Sequence, residues 1–330
     1  MEIALAPMAG INDRIFMDLA LSMGADLAFT EMISVNGLAN RNIKSIEMIP
    51  TSSEKIIVQL FGKDEALFVK SAEIVQKRSG SRRIDINAGC PVRKVVKHGY
   101  GAGLMKEPLR LRKIVENLVR EGFEVSVKMR IGWEKEKNYM EVAQAAVDGG
   151  ARLISIHGRT VEQGYSGKAD WKCAKVLVER FGKVGVKVGV SGDIFTPKNA
   201  LLAVRESGAD LLLIARGAIG NPWIFEGTKA IFNGYDPENI SLKERKRVLN
   251  MHLEKSVEEY GVHGIITFRK FLAAYLKNLP ASHDVKAKVM REESYEKVRT
   301  IVNDFFDKLI SCEQGGVSHG DVKSQFEVQS

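Results

Sequence analysis

A lone cysteine between glycine and proline, Gly89-Cys90-Pro91, follows directly on an apolar run, and groups able to hold a ligand or move a proton lie in or at the ends of neighbouring runs. Gln59 lies within one, Asn87 ends the run before Cys90, Lys128 and Arg130 share another, and His157 and Arg159 close a third. Ser191-Gly192-Asp193 and Ala215-Arg216-Gly217 close two more. Burying an amide or a charge is costly unless it is partnered, so a bound ligand is the simplest reason for Gln, Lys and His inside such apolar stretches. A thiol in this position could act as nucleophile or general acid, against the plainer alternative of an inert buried cysteine. The spacing His157-x-Arg159 suits an anionic or carbonyl-bearing ligand, although a hydrogen-bonded structural histidine would look the same. Gly192 and Gly217 would let backbone N–H groups come close to phosphate oxygens, with Arg216 adding charge, or they simply make tight turns.

These groups need a frame that brings many run ends to one place. Eight short apolar, β-branched runs recur, at Ile3–Met8, Ala25–Met32, Lys55–Gly62, Arg83–Cys90, Glu124–Gly132, Arg152–Arg159, Val186–Asp193 and Leu211–Ala218. Most are nearly continuous in apolar residues, as expected of parallel strands buried on both faces. Helical periodicity separates most of them, at Glu65–Lys77, Leu109–Glu121, Tyr139–Asp148 and Pro197–Ser207, with Gly80, Gly122, Gly149 and Gly208 as stop signals. Thr196-Pro197 opens the last with a cap and a first-turn proline. Eight strand–helix units predict a closed (β/α)8 barrel over an open doubly wound sheet, and the catalytic site of such a barrel lies at the carboxyl ends of its strands.

After about residue 240 the strand runs stop. Ser241–Gly261, with Ser241 and Glu244 as a capping box, then Thr267–Asn278 and Ser294–Ile310, predict a small all-helical domain rich in Lys and Arg. The organisation expected is a barrel over 1–235, a helical domain over 241–310, and a polar tail over 311–330 that reads as disordered.

The 330 residues, 45% hydrophobic and 27% charged, are those of an ordinary globular protein large enough for a sizeable core. No apolar stretch is long enough for a membrane span, and the first residues lack the features of a signal peptide. A soluble cytoplasmic protein is expected. Three cysteines, none in a Cys-x-x-Cys pair, argue against a disulfide framework and a metal site. The net charge of +8 suits a polyanionic partner, but a basic surface with no special partner has the same composition.

The motifs, taken together, resemble the tRNA-dihydrouridine synthases. Those that carry the resemblance are Ala6-Pro7-Met8-Ala9-Gly10, Asp85-Ile86-Asn87-Ala88-Gly89-Cys90-Pro91, Val127-Lys128-Met129-Arg130, His157-Gly158-Arg159-Thr160, Tyr165-Ser166-Gly167 with Ala169-Asp170-Trp171, and Ala215-Arg216-Gly217 with Gly220-Asn221-Pro222-Trp223. Phe268-Arg269-Lys270 and Tyr275-Leu276-Lys277 resemble the family's helical-domain signature. The resemblance implies reduction of the C5=C6 bond of particular uridines in tRNA, with FMN bound in the barrel, NADPH as electron donor, and tRNA held by the helical domain. It places Pro7, Met8 and Ala9 along the flavin, Gln59 and Lys128 on its ring, and His157 against the cofactor. Ser191, Gly192, Asp193, Ala215 and Arg216 would lie along the ribityl-phosphate, with Cys90 as proton donor. Asn87, Arg130 and Arg159 are the expected substrate contacts. Two positions depart from the family pattern: Ser191 stands where Asn is usual, and Phe271 where His often follows Arg-Lys. Neither the uridine position nor the oligomeric state can be read from these motifs.

Two other readings share some of these features. A flavin barrel acting on a small molecule, dihydroorotate dehydrogenase-like, would have the barrel, phosphate site and cysteine but gives no reason for a basic helical appendage. A non-catalytic RNA-binding barrel gives no reason for Lys128, Cys90 and His157 together.

Overall fold

A computed structural model describes residues 1–51 and 54–314. A strand coincides in large part with each of the eight apolar runs: β1 (Glu2–Leu5), β2 (Leu27–Ser34), β3 (Ile56–Phe61), β4 (Arg83–Ala88), β5 (Glu124–Arg130), β6 (Leu153–His157), β7 (Lys187–Ser191) and β8 (Leu211–Ile214). All neighbours are parallel, and β1 pairs with β8 from Glu2↔Leu211 to Leu5↔Ile214, which closes the barrel. Most strands end two to four residues before their runs do. Pro7-Met8, Gly89-Cys90, Gly158-Arg159, Gly192-Asp193 and Ala215-Arg216 therefore leave the sheet and form the rim. β2 instead continues past its expected end to Ser34, with a register shift between Phe29 and Met32.

Helices α1 (Arg14–Ser22), α2 (Val35–Ala39), α3 (Ile43–Glu47), α4 (Glu65–Ser79), α5 (Arg93–Lys97), α6 (Pro108–Arg120), α7 (Tyr139–Asp148), α8 (Lys172–Phe181) and α9 (Pro197–Ser207) lie between successive strands, and α10 (Ile224–Phe232) follows β8. The sequence signals act as expected at α9, where the Thr196 side chain accepts from Asn199 N–H and Gly208 ends the helix at φ 64°. Gly80 ends α4 at φ 75°. Gly149 differs, since its φ is −76° and Gly150 takes the left-handed turn at 101°. Gly149 is needed for close approach: a Cβ there would fall 2.7 Å from the Arg112 carbonyl oxygen of α6.

The barrel interior has two chemically different sides. Ala4, Ala6, Leu27, Phe29, Ile57, Leu211 and Leu213 pack as a dry cluster contributed by β8, β1, β2 and β3. Gln59, Asp85, Ser126 and Ser155, all buried, come from β3 to β6. Aliphatic packing closes the barrel on one side, and the polar groups of the other are available for chemistry.

The chain divides into two compact units. The first is Met1–Ala218 with Ile224–Asp236; the second is Ile219–Trp223 with the residues from Pro237 onward. A single cut near 240 misses the return segment because Gly220 and Trp223 pack into the second unit. A Cβ at Gly220 would lie 2.5 Å from the Ala274 carbonyl carbon, and Trp223 Nε1 donates to Glu244 at 3.4 Å. The second unit holds α11 (Leu242–Tyr260), α12 (Val262–Tyr275), α13 (Ser282–Val289) and α14 (Tyr295–Gln314). α13 is an addition to the sequence reading, too short to show periodicity. Ser241 caps α11 by accepting from Glu244 N–H, but the Glu244 carboxylate bonds Arg247 and Trp223, so the reciprocal half of the expected box gives way to an ion pair. α14 runs to Gln314, which corrects the expected start of the tail at 311; residues 315–330 lie outside the described residues. Phe271 is a core residue, its ring 4.6 Å from that of His252. No helix of the described residues is long and apolar enough to cross a membrane.

Candidate active site

The loop after β4 is built round Asn87. Its Oδ1 accepts from the N–H groups of Gly89 at 3.1 Å and Cys90 at 2.9 Å, which turns the chain so that Cys90 stands at the rim, half-buried. The Cys90 carbonyl accepts from Ala102 N–H. Burial raises the Cys90 thiol above its ordinary pKa, against smaller opposing effects of the Val92 backbone and the Arg130 guanidinium. The thiol therefore keeps its proton at neutral pH, the state required of an acid and not of a nucleophile.

β5, β6 and β7 place Arg130, His157 and Ser191 side by side, in the registers Arg130↔His157 and His157↔Ser191. Two residues back along β5, Lys128 reaches Ser191 Oγ at 3.4 Å. The Ser191 hydroxyl thus keeps a polar contact where the family pattern has an amide. Burial, with Arg130 nearby, lowers the Lys128 pKa to about 8, and Asp85 acts in the opposite direction. Lys128 forms no ion pair among the described residues, so its charge lacks a carboxylate at contact distance. His157 is driven down to about 2 by burial and by the cations Lys128, Arg130, Arg159 and Arg216, and its imidazole is neutral.

Four cations thus surround one imidazole, while the nearby carboxylates are Asp85 and Asp193. The balance is positive and suits an anionic ligand. Asp193 itself faces protein. Its carboxylate accepts from Arg159 Nη2 at 2.7 and 2.8 Å and from Ala169 N–H at 2.8 Å, and Arg216 lies 3.6 Å away. Its φ of 54° and the φ of 110° at Gly192 make the sharp turn after β7. A Cβ at Gly192 would lie 2.7 Å from the His157 ring and from the Ala169 side chain, and the Gly192 carbonyl accepts from Trp171 Nε1 at 2.8 Å. Ala215 packs against the dry cluster, while Arg216 extends outward between the rings of Tyr165 at 4.5 Å and Phe195 at 5.3 Å.

Several expected contacts are taken up within the protein. Arg159 is 2% exposed and donates to Ser166 O, Gly167 O and Asp193, with Nη1 3.3 Å from His157 Nε2; its side chain locks the loop after β6 and does not face an open site. Arg130 is also buried and donates to the carbonyls of Gly89, Thr160 and Gly164, tying the β4 and β6 loops together. Asn87 Nδ2 donates to Gln59 Oε1 at 2.8 Å, and Gln59 Nε2 to Asp85 at 2.6 Å. Asn87, Arg130 and Arg159, the substrate contacts expected from sequence, thus also hold the loops after β4 and β6. Pro7 and Met8 are partly buried and Ala9 is exposed at the end of β1. That end is fastened by Asn12, whose Nδ2 donates to Ala6 O at 2.8 Å and Phe29 O at 2.7 Å. Gly10 N–H donates to Glu31. Sequence reasoning did not single out Asn12, Asp85, Tyr165 or Phe195 as site residues. Asp85 carried the same signal as Lys128, a charge within an apolar strand. Among the described residues no cluster of His, Cys, Asp or Glu could hold a metal ion.

The geometry suits a flavin mononucleotide in chemical terms. A partly buried ammonium without a carboxylate partner, a neutral imidazole, a side-chain-free turn at Gly192 packed against His157, and excess positive charge all lie on one rim. A family model described as dihydrouridine synthase matches residues 4–310. The tRNA-dihydrouridine synthase B of Shewanella oneidensis is 34% identical over 315 residues, covering 94% of this chain and 96% of that protein. A probable tRNA-dihydrouridine synthase of Treponema pallidum is 33% identical, over 76% of this chain and 78% of its own. Among solved structures, histamine dehydrogenase from Rhizobium sp. 4-9 shares the fold, with a TM-score of 0.51 and 13% identity, over 76% of this chain and 48% of that one. Fold, rim chemistry and near full-length similarity converge: the chain belongs to the dihydrouridine synthase family.

Proposed function

We propose that the protein reduces the C5=C6 bond of uridines in tRNA to 5,6-dihydrouridine, with FMN as its flavin and NADPH as electron donor. The observation that carries this reading is the Cys90 thiol, held at the rim by the Asn87 turn, on the same rim as Lys128, Arg130, His157 and Ser191. The bound flavin supplies the hydride. Lys128 would hold positive charge beside a reduced isoalloxazine, Pro7, Met8 and Ala9 would line the flavin, and Gln59, whose amide bonds Asp85 and Asn87, would border the ring. His157, uncharged, contacts the cofactor without adding to the positive charge. The backbone at Ser191, Gly192, Asp193 and Ala215, with the Arg216 guanidinium, receives the ribityl-phosphate. Asp193 acts there through its backbone and through the hold of its side chain on Arg159.

Cys90 gives its proton to C5 of the uracil as charge develops there, and Asn87 and Arg130 hold its loop in place. A target base stacked within folded tRNA must be turned out to reach this rim. The barrel, 1–235, carries the chemistry, and the basic helices of 241–310 bind the tRNA backbone, in the cytoplasm where the substrate is made. Family membership disfavours the small-molecule alternative. The test is a visible spectrum of the purified protein before and after NADPH without oxygen, and again after unmodified tRNA. Flavin bands that bleach with NADPH and return with tRNA are expected. A protein that stays colourless after incubation with FMN contradicts the reading.

A further inference from the structure

Arg216 leaves the barrel just after β8 with its side chain 40% exposed. A guanidinium so placed would ordinarily be mobile, since its long stem has many rotamers. Here two aromatic rings hold it. Its Cζ lies over the Tyr165 ring, 4.5 Å from the centroid, and over the Phe195 ring at 5.3 Å. Both distances are within the range of a cation–π attraction. Neither contact occupies an N–H donor, and Asp193, at 3.6 Å, is beyond hydrogen-bond length. The rings therefore fix the group and leave its N–H edge to a ligand.

The backbone brings Phe195 to this place. Gly217, the residue after Arg216, packs directly on the chain that follows β7. A Cβ at 217 would lie 3.0 Å from Phe195 Cα and would collide with the Ile194 carbonyl. Phe195 N–H donates to Asn199 Oδ1 at 3.4 Å, and the next residue, Thr196, caps α9. The ring is thus carried on a segment tied to the start of a helix and pressed against the chain of Arg216. It remains 45% exposed, so its removal opens no cavity in the core.

The two rings differ in what else they touch. Tyr165 also lies near Arg130, at 5.8 Å, and near the His157 ring, at 6.4 Å. Among the described residues Phe195 has its ring contact with Arg216 alone.

We infer that Phe195 is a positioning residue for Arg216, holding the guanidinium with Tyr165 so that its N–H edge is ready for the phosphate monoester of the flavin. The inference rests on the proposed FMN site and deepens it. Arginine recognises phosphate through paired, directional N–H donors, so orientation matters as well as charge. Ordering the side chain before the ligand arrives removes a cost that binding would otherwise carry.

The experiment titrates the full-length protein, freed of bound flavin, with FMN and with riboflavin, which lacks the phosphate. Flavin fluorescence reads both affinities. Phe195→Leu keeps apolar bulk and removes the ring face. It should raise the Kd for FMN roughly two- to fivefold, the range of one exposed cation–π contact, and leave the Kd for riboflavin unchanged. Phe195→Tyr keeps a ring and should retain the wild-type ratio of the two affinities. Arg216→Met should lose much of the preference for FMN, and adding Phe195→Leu to it should weaken FMN no further, because the partner of the ring is gone. A residue that only packs would weaken both flavins alike, with or without Arg216.

The inference is overturned if Phe195→Leu leaves the ratio unchanged, if its effect persists beside Arg216→Met, or if tRNA affinity changes in place of the ratio. Wild-type protein that binds FMN and riboflavin equally would also overturn it and leave the flavin reading standing. Wild-type protein that binds neither would contradict the proposed cofactor, and the inference with it.

Discussion

Burial is the largest cause of the pKa shifts of Cys90, Lys128 and His157, and each shift has a measurable consequence. Cys90 keeps its proton because burial raises its pKa. Cys90→Ala should retain bound flavin and lose roughly a hundredfold or more in turnover on tRNA, the usual contribution of a general acid; unchanged turnover would remove Cys90 from the chemistry. Lys128, with its pKa lowered to about 8, loses its charge as pH rises through that value. The rate of flavin reduction should decline over the same range, and Lys128→Met should abolish that limb of the profile. The stability of the fold has the opposite pH sense. His157 at about 2 and His252 at about 3 bind protons far more weakly folded than unfolded. Their stabilisation is complete above the unfolded histidine value of about 6.5 and declines below it, each at about 1.4 kcal/mol per pH unit. Asp85, raised to about 6, opposes this between its unfolded value of about 4 and that pH, but one carboxyl does not offset two histidines. The midpoint of urea unfolding should therefore fall from pH 7 to pH 5, and His157→Asn should flatten the slope; a pH-independent midpoint would contradict the buried neutral imidazoles.

The elements show where sequence was informative and where it was not. Strands were legible because β-branched residues buried on both faces make nearly continuous apolar runs, as in Ile56–Val58. Their ends were less legible, since Pro7-Met8 and Ala215 are as apolar as the strands they follow. α1, α2, α3, α5, α8, α10 and α13 were not read; the shortest of these, α2, α3 and α5, have too few residues to show a helical period. Side-chain partners were the least legible, because Asp85 meets Gln59 and Ser126 only through the barrel register. Glycine was read correctly as a turn former at Gly80, but its reason differs from site to site. Gly80→Ala meets nothing within 4 Å and has only its φ of 75° to resist it, at a cost of about 1–2 kcal/mol. Gly192→Ala adds a clash with His157 and Ala169 to a φ of 110°. It should be markedly more destabilising and should weaken flavin binding, which Gly80→Ala should leave alone. Equal melting shifts for the two would refute the steric account of Gly192.

For the whole molecule, eight strand–helix units and a change of composition near residue 240 made barrel and helical appendage readable from sequence. The return of Ile219–Trp223 into the second unit was not readable, because it depends on packing against Ala274 and Tyr275. A net charge of +8 and a tRNA substrate together predict affinity that falls steeply as salt rises, through release of counterions from the phosphates. Binding insensitive to salt would separate the charge from the substrate. The most direct measurement is nucleoside analysis by mass spectrometry of unmodified tRNA after incubation with the protein, FMN and NADPH. The account predicts that uridine in the tRNA gains one pair of hydrogens and becomes dihydrouridine, and that Cys90→Ala prevents it. Flavin that is reduced by NADPH and reoxidised by a small pyrimidine, with every tRNA uridine left unchanged, would contradict it.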